Sequence, residues 1–119
     1  MKEHTNDKII LKAYINNNLV LNNVVRADTF SGRLKGLLGK DSLNSGEGLL
    51  LINCSSIHCF FMKFTIDAVY LTEDMVVLHK ETLKPWEMGK IIKNTRNILE
   101  MQEGESKNIE VGDTIQFRP

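Results

Sequence analysis

The stretch that most constrains this chain covers residues 56–71, Ser-Ile-His-Cys-Phe-Phe-Met-Lys-Phe-Thr-Ile-Asp-Ala-Val-Tyr-Leu. Successive side chains of a β-strand point to opposite faces. An extended run over 57–62 therefore sets Ile57, Cys59 and Phe61 on one side and His58, Phe60 and Met62 on the other. Apolar residues occupy both sides, which predicts a central strand covered on two faces. Lys63, Phe64 and Thr65 form a short bend. A second strand over 66–71 then places Ile66, Ala68 and Tyr70 on one face and Asp67, Val69 and Leu71 on the other. Asp67 is thus an acid among apolar neighbours. A carboxylate in that setting must be hydrogen-bonded or paired, because burying an isolated charge is costly. Two roles are open to it. It anchors a turn through backbone amides, or it serves in a pocket as acid, base or ligand anchor, with Lys63, His58 or an arginine from elsewhere as partner.

The rest of the chain is cut into short segments by turn residues. Residues 8–15 and 19–25 are β-rich and flank Asn16-Asn17-Asn18, a hairpin loop, since asparagine tolerates left-handed backbone. Asn22-Asn23 is a point where the second arm could break. Over 28–38 the period changes: Leu34, Leu37 and Leu38 follow the capping residues Asp28, Thr29 and Ser31 and precede Gly39, which predicts one short helix. Arg33 lies off its leucine face, within reach of a role beside Asp67. Further strands are expected over 49–53, over 76–83 pairing back on 66–71, over 97–101 and over 114–118, with a turn at 102–106 centred on Gly104. Residues 84–89, holding Pro85 and Gly89, break the pattern. Trp86 in that loop is either a lid over a pocket or a plug at one end of the core, and the area a tryptophan buries favours the plug. About eight short strands with one helix in the N-terminal third predict an all-β fold, a β-sandwich or compact barrel. Residues 1–7 are expected to be flexible and 8–119 to form a single domain. The absence of βαβ alternation excludes a Rossmann-type nucleotide fold, and Gly46-Glu47-Gly48 with no following helix is a poor phosphate cradle.

Charge narrows the partners. Fifteen basic and fifteen acidic residues cancel, which argues against nucleic acid or an anionic membrane as the main partner, and no membrane insertion is expected. Lys80, Lys84, Lys90, Lys93 and Arg96 bias one region positive, but Glu81, Glu87 and Glu100 interleave with them, the pattern of a solvated face. His4, His58 and His79 are scattered and Cys54 and Cys59 match no ligand motif, so no metal and no cofactor are expected. Two thiols at that spacing, with no signal peptide and no apolar span, predict a soluble cytoplasmic protein in a reducing compartment.

With these residues laid out, the chain resembles the bacterial and archaeal family known as domain of unknown function 192. Three blocks carry the likeness: Arg33-Leu-Lys-Gly-Leu-Leu-Gly-Lys with the later Gly48-Leu-Leu-Leu; the 56–71 stretch, with its Met62-Lys63 run leading to Asp67; and Leu83-Lys-Pro-Trp followed by Ile98-Leu-Glu-Met, Gly104 and Gly112-Asp113. The resemblance spans about Val24 to Phe117. It implies a sandwich like a small jelly roll with no established activity, and it marks Arg33, Gly36, His58, Phe61, Met62, Lys63, Asp67, Pro85, Trp86 and Gly112 as matching positions. Cys59, Leu38 and the Phe64-Thr65 pair depart from its usual residues in shape rather than polarity. Many members of that family carry leader segments, so a chain without one implies a cytoplasmic branch.

Three functions follow. The first is a binding module in which Arg33, His58, Lys63 and Asp67, walled by Trp86, hold a small polar or anionic ligand. The second is a hydrolase-like enzyme using His58 and Asp67 as an acid/base pair, although no nucleophile motif accompanies them. The third is a protein-interaction component of envelope or pilus assembly, which requires an exposed apolar patch. The polar set favours the binding module and leaves catalysis open.

Overall fold

The computed structural model describes residues 9–27, 43–57 and 63–119. Seven strands form one sheet: β1 (Ile9–Ile15), β2 (Asn18–Ala27), β3 (Glu47–Ile52), β4 (Ile66–Leu71), β5 (Val77–Leu83), β6 (Asn97–Gln102) and β7 (Gln116–Arg118). Their order is β5-β4-β6-β3-β2-β1-β7. The helical element among the described residues is a single 3₁₀ turn, Glu105–Asn108. The expected all-β architecture is what the chain adopts. The flexible segment expected over 1–7 and the helix expected over 28–38 lie outside the described residues, as does most of the strand expected over 57–62. Ile57, at its start, is buried but belongs to no strand.

The first hairpin shows the sequence acting locally. Asn16 and Asn17 have φ of 51° and 67°, the positive values that a two-residue type I′ loop demands and that asparagine accepts at small cost. Asn22 and Asn23 do not end β2. The pairing steps from Leu11↔Val24 to Ala13↔Leu21, so the strand takes up an extra residue as a bulge. The amides of Asn22 and Asn23 both donate to the Gly46 carbonyl, at 3.0 and 3.1 Å. β2 and β3 run parallel, and parallel neighbours need a long crossover rather than a tight turn. The chain supplies it between Ala27 and Glu47.

β4 is buried along its whole length, antiparallel to β5 on one side and to β6 on the other. Its faces divide as alternation requires. Val69 and Leu71 join Ala13, Leu21, Val24, Leu50, Leu99 and Met101 in an inner core. Ile66, Ala68 and Tyr70 join Leu49, Leu51, Ile98 and Leu83 in an outer one, covered in part by Leu43, Cys54 and Ile57. The sheet curls around the inner core. Val76 bridges Thr114, and the Ile115 amide donates to the Met75 carbonyl at 3.0 Å, just before the same segment pairs with β1 as β7. Residues 112–118 thus tie the two ends of the sheet together.

Candidate functional site

Asp67 points to the inner face of β4, where it is 3% exposed. Thr82 Oγ1 donates to its Oδ1 at 2.9 Å. Its Oδ2 accepts from the Gly104 amide at 3.1 Å, the Ser106 amide at 3.2 Å and Ser106 Oγ at 2.6 Å. The carboxylate therefore fastens the 3₁₀ turn to the sheet, which satisfies its need for partners without a cation. Gly104, at φ 91°, supplies the left-handed bend that brings both amides round. Lys63 sits exposed in the bend before β4 and is not among the partners of Asp67. Arg33 and His58 lie outside the described residues.

Trp86 departs from expectation. It occupies the third position of a turn closed by Glu87 N to Lys84 O at 3.1 Å, after Pro85, with φ 72°, the geometry of a type II turn. It is 62% exposed, so it is not a plug of the core. The turn, rather than burial of the indole, sets its place: Pro85 fixes the second position and the positive φ at the third turns the chain outward.

A group that the sequence reading did not single out lies under this loop on the outer face. Tyr70 and His79 are paired across β4 and β5, and Glu81 follows two residues later on the same face. The Tyr70 hydroxyl donates to Glu81 Oε2 at 2.5 Å, and the Lys90 amide donates to the same oxygen at 2.8 Å. His79 stacks edge-on against Tyr70 with ring centroids 5.2 Å apart. Its Nε2 lies 3.7 Å from Glu81 Oε1, buried and without a hydrogen-bond partner among the described residues. Partial burial pushes the Glu81 carboxyl upward, but the bonds from Tyr70 and Lys90 and the neighbouring His79 together outweigh it, and its pKa is lowered from 4.5. Gly89 closes the group: a Cβ there would stand 2.2 Å from the Tyr70 hydroxyl and 2.9 Å from Ile57 Cγ2, while its amide donates to the Ile57 carbonyl at 2.9 Å. Glu100, opposite Ala68 and Leu49 on this same face, is 4% exposed. Only the strand register brings these residues together. No local spacing could have announced them.

One end of the curled sheet opens into a cavity of about 370 Å³. Leu11, Leu50, Ile52, Met75 and Phe117 make its apolar wall, and Arg26, Asn53, Glu73, Arg96 and Asn97 its polar rim. Arg26 follows Val24 at the strand period, which turns it to the inner side at the mouth. Arg96 is held through its backbone, its amide donating to Leu71 O at 2.8 Å and its carbonyl accepting from Cys54 N at 2.9 Å. Buried Asn97 ties the rim, donating from Nδ2 to Thr72 O at 3.0 Å and accepting the Asn53 amide at 3.2 Å. A second cavity, of about 390 Å³, is lined by Asn16, Asn17, Asp113, Thr114 and Gln116 and has no cation among the described residues of its wall. Among the described residues no three His, Cys, Asp or Glu side chains group as metal ligands do. The first cavity can pair an anion with two guanidiniums and shelter an apolar body behind it.

Fold and openings together define a small all-β protein built on one curled sheet with a polar-rimmed cavity at its mouth. The chain belongs to the DUF192 family, described as uncharacterised ACR, whose model matches residues 13–117. A UPF0127 protein of Pyrococcus horikoshii is 33% identical over 96 residues, covering 76% of this chain and 84% of that one. A UPF0127 protein of Pyrococcus abyssi is 30% identical over 99 residues, covering 76% and 82%. The fold is shared with a protein of unknown function from Novosphingobium aromaticivorans, at TM-score 0.76 and 15% identity over 98% of this chain and 91% of that one. It is shared also with a putative transcription regulator from Sinorhizobium meliloti, at TM-score 0.73 and 16% identity over 98% of both chains. Likeness at that identity establishes the fold alone.

Proposed function

We propose that the protein is a binding module for a small organic anion with an apolar portion, seated in the cavity between Arg26 and Arg96. The observation that carries this reading is the pairing of two guanidiniums with an apolar wall in one opening of about 370 Å³. That volume falls at the lower end of small-molecule sites, which run roughly 300–1,000 Å³. Arginine presents a planar fork of donors matched to carboxylate and phosphate, and two arginines face one acid, Glu73, among the described residues of this rim. The second opening offers polar groups without that charge. The hydrolase-like reading is less well supported, because both Asp67 oxygens are committed to the fold and a proton on them would weaken the anchor.

The test is an amide-resolved NMR titration with acetate, inorganic phosphate and a series of straight-chain carboxylates of increasing length. The expected result is saturable shifts at Ile52, Arg96 and Phe117 that grow stronger with chain length, and at least about tenfold weaker binding in Arg96→Ala, since hydrogen bonds to charged groups contribute about 1.5–3 kcal/mol. Shifts centred on Lys63 and Trp86 would move the seat to the cluster expected from the sequence. No saturable shift anywhere with these anions would defeat the anion-binding reading.

A further inference from the structure

Two of the three acids that interleave with the cations of residues 80–100 in sequence, Glu81 and Glu100, are turned away from solvent. Glu100 is buried beneath the outer core. Glu81 accepts the Tyr70 hydroxyl and the Lys90 amide, and Glu87 Oε1 accepts the Lys84 amide at 2.7 Å. Lys84, Lys90 and Lys93 are all exposed. Among the described residues of this loop, basic side chains stand out and Glu87 is the acid that stays outside with them.

Three large apolar side chains rise from the same loop. Gly89 is pressed against Tyr70 and Ile57, and Ile92 packs on the outer core, so the loop is pinned at two points. Around those points Trp86 is 62%, Met88 68% and Ile91 82% exposed. Exposure of one such residue is ordinary, whereas three within six positions concentrate exposed apolar area on one loop. Trp86 is also held at positive φ, where a bulky residue is a backbone outlier. Strain of that kind persists where surrounding structure imposes it and clusters at functional positions.

We propose that this loop is a peripheral docking surface for an anionic lipid bilayer, with Trp86, Met88 and Ile91 entering the headgroup boundary and Lys84, Lys90 and Lys93 facing the lipid charges. The choice of a bilayer over a protein partner rests on size and composition. A stable protein interface needs about 800 Å² from each side, more than one short loop offers. Tryptophan beside lysine is the pairing found where chains meet the lipid interface, the ring at headgroup depth and the ammonium snorkelling to water. No helix among the described residues is long and apolar enough to cross a membrane, so this contact is with one leaflet surface only. It is independent of the anion cavity, which opens at the end of the curled sheet.

Trp86 is the only tryptophan in the chain, so it reports its own environment. The experiment mixes the full chain with phosphatidylcholine vesicles, with and without phosphatidylserine, and reads both co-sedimentation and tryptophan emission. Expected are a blue shift and sedimentation with the phosphatidylserine vesicles, both reversed by high salt and absent with phosphatidylcholine alone. Each of Lys84→Gln, Lys90→Gln and Lys93→Gln should weaken binding about fivefold, and Met88→Ser with Ile91→Ser should abolish the blue shift in a protein whose melting is unchanged. Sedimentation with unaltered emission, or full binding by the Met88/Ile91 variant, overturns the proposal. A blue shift that rises with protein concentration and needs no vesicles also overturns it, because the patch would then be covered by a second copy of the chain.

Discussion

Asp67 and Ser106 lie thirty-nine residues apart in sequence and are joined by a 2.6 Å hydrogen bond from the serine hydroxyl to the carboxylate. With the amides of Gly104 and Ser106 on the same oxygen, this contact sets where the chain leaves β6 and begins its return towards β7. The acid is therefore a structural clasp, and its removal should be felt by the whole fold. In Asp67→Asn one oxygen remains to serve donors that now occupy two, and an NH₂ is turned towards them. We expect a loss of about 2–3 kcal/mol in urea unfolding, and a smaller loss in Ser106→Ala. The double variant should cost less than the sum, as contacting partners do. A change within about 0.5 kcal/mol for Asp67→Asn, the scatter of inconsequential surface substitutions, would refute the clasp.

Glu81 makes stability depend on acid. Its pKa in the folded protein is lowered from 4.5, so the folded state binds this proton less readily than the unfolded chain does. Its contribution is therefore fully present above about pH 4.5, the ordinary value, and is lost as pH falls through the lowered value. Melting temperature against pH should show an acid limb that Glu81→Gln flattens. Tyr70→Phe removes one of the bonds that lower this pKa and should move the carboxyl titration upward, which side-chain NMR can follow directly. A titration of Glu81 unchanged by Tyr70→Phe would contradict the assigned cause.

Gly89 and Tyr70 should be coupled. A methyl at Gly89 would meet the Tyr70 hydroxyl oxygen at 2.2 Å, a distance no contact can keep, so Gly89→Ala must push the loop away or displace the ring. The expected loss is about 1–3 kcal/mol. Tyr70→Phe deletes the clashing oxygen and should recover part of that loss in the double variant, but not all of it, because Ile57 Cγ2 and Glu81 Oε2 remain at 2.9 and 3.0 Å. Strictly additive losses would mean that the loop does not rest on Tyr70.

The two halves of this picture were unequally legible in the sequence. Alternation alone set β4 at its observed bounds and assigned Ile66, Ala68 and Tyr70 to one core and Val69 and Leu71 to the other, because period two leaves a strand no other way to sort its apolar residues. The asparagine loop and the Gly104 turn were legible for a similar local reason: positive φ selects few residue types. That Asp67 would need hydrogen bonds was also readable, but not that Ser106 would provide them, since the pairing depends on a contact between distant segments. Tyr70, His79 and Glu81 meet through a β4–β5 register that slips by a residue between Tyr70 and Leu71, and no spacing within either strand encodes that slip. The interleaved charges misled for a related reason. Sequence order gives the sign of each residue but not its direction, and Glu81 and Glu100 are drawn onto the outer face while Lys84, Lys90 and Lys93 stay exposed.

Trp86 separates stability from function. At φ 72°, in the turn position that glycine or asparagine ordinarily fills, the residue carries backbone strain on the order of 1–3 kcal/mol. The 62% exposure of its side chain means that little burial offsets it. Trp86→Gly relieves the strain but adds chain entropy to the unfolded state and gives up the contact that Trp86 makes, so the net effect should be close to neutral, within about 1 kcal/mol. The melting temperature should therefore hold, while sedimentation with phosphatidylserine vesicles falls. A residue kept only for packing would show the opposite: Trp86→Gly would lower the melting temperature by the several degrees expected of a core substitution, and vesicle binding would not change. The joint outcome of these two measurements on one variant distinguishes a tryptophan held outward for a partner from one that supports the loop beneath it.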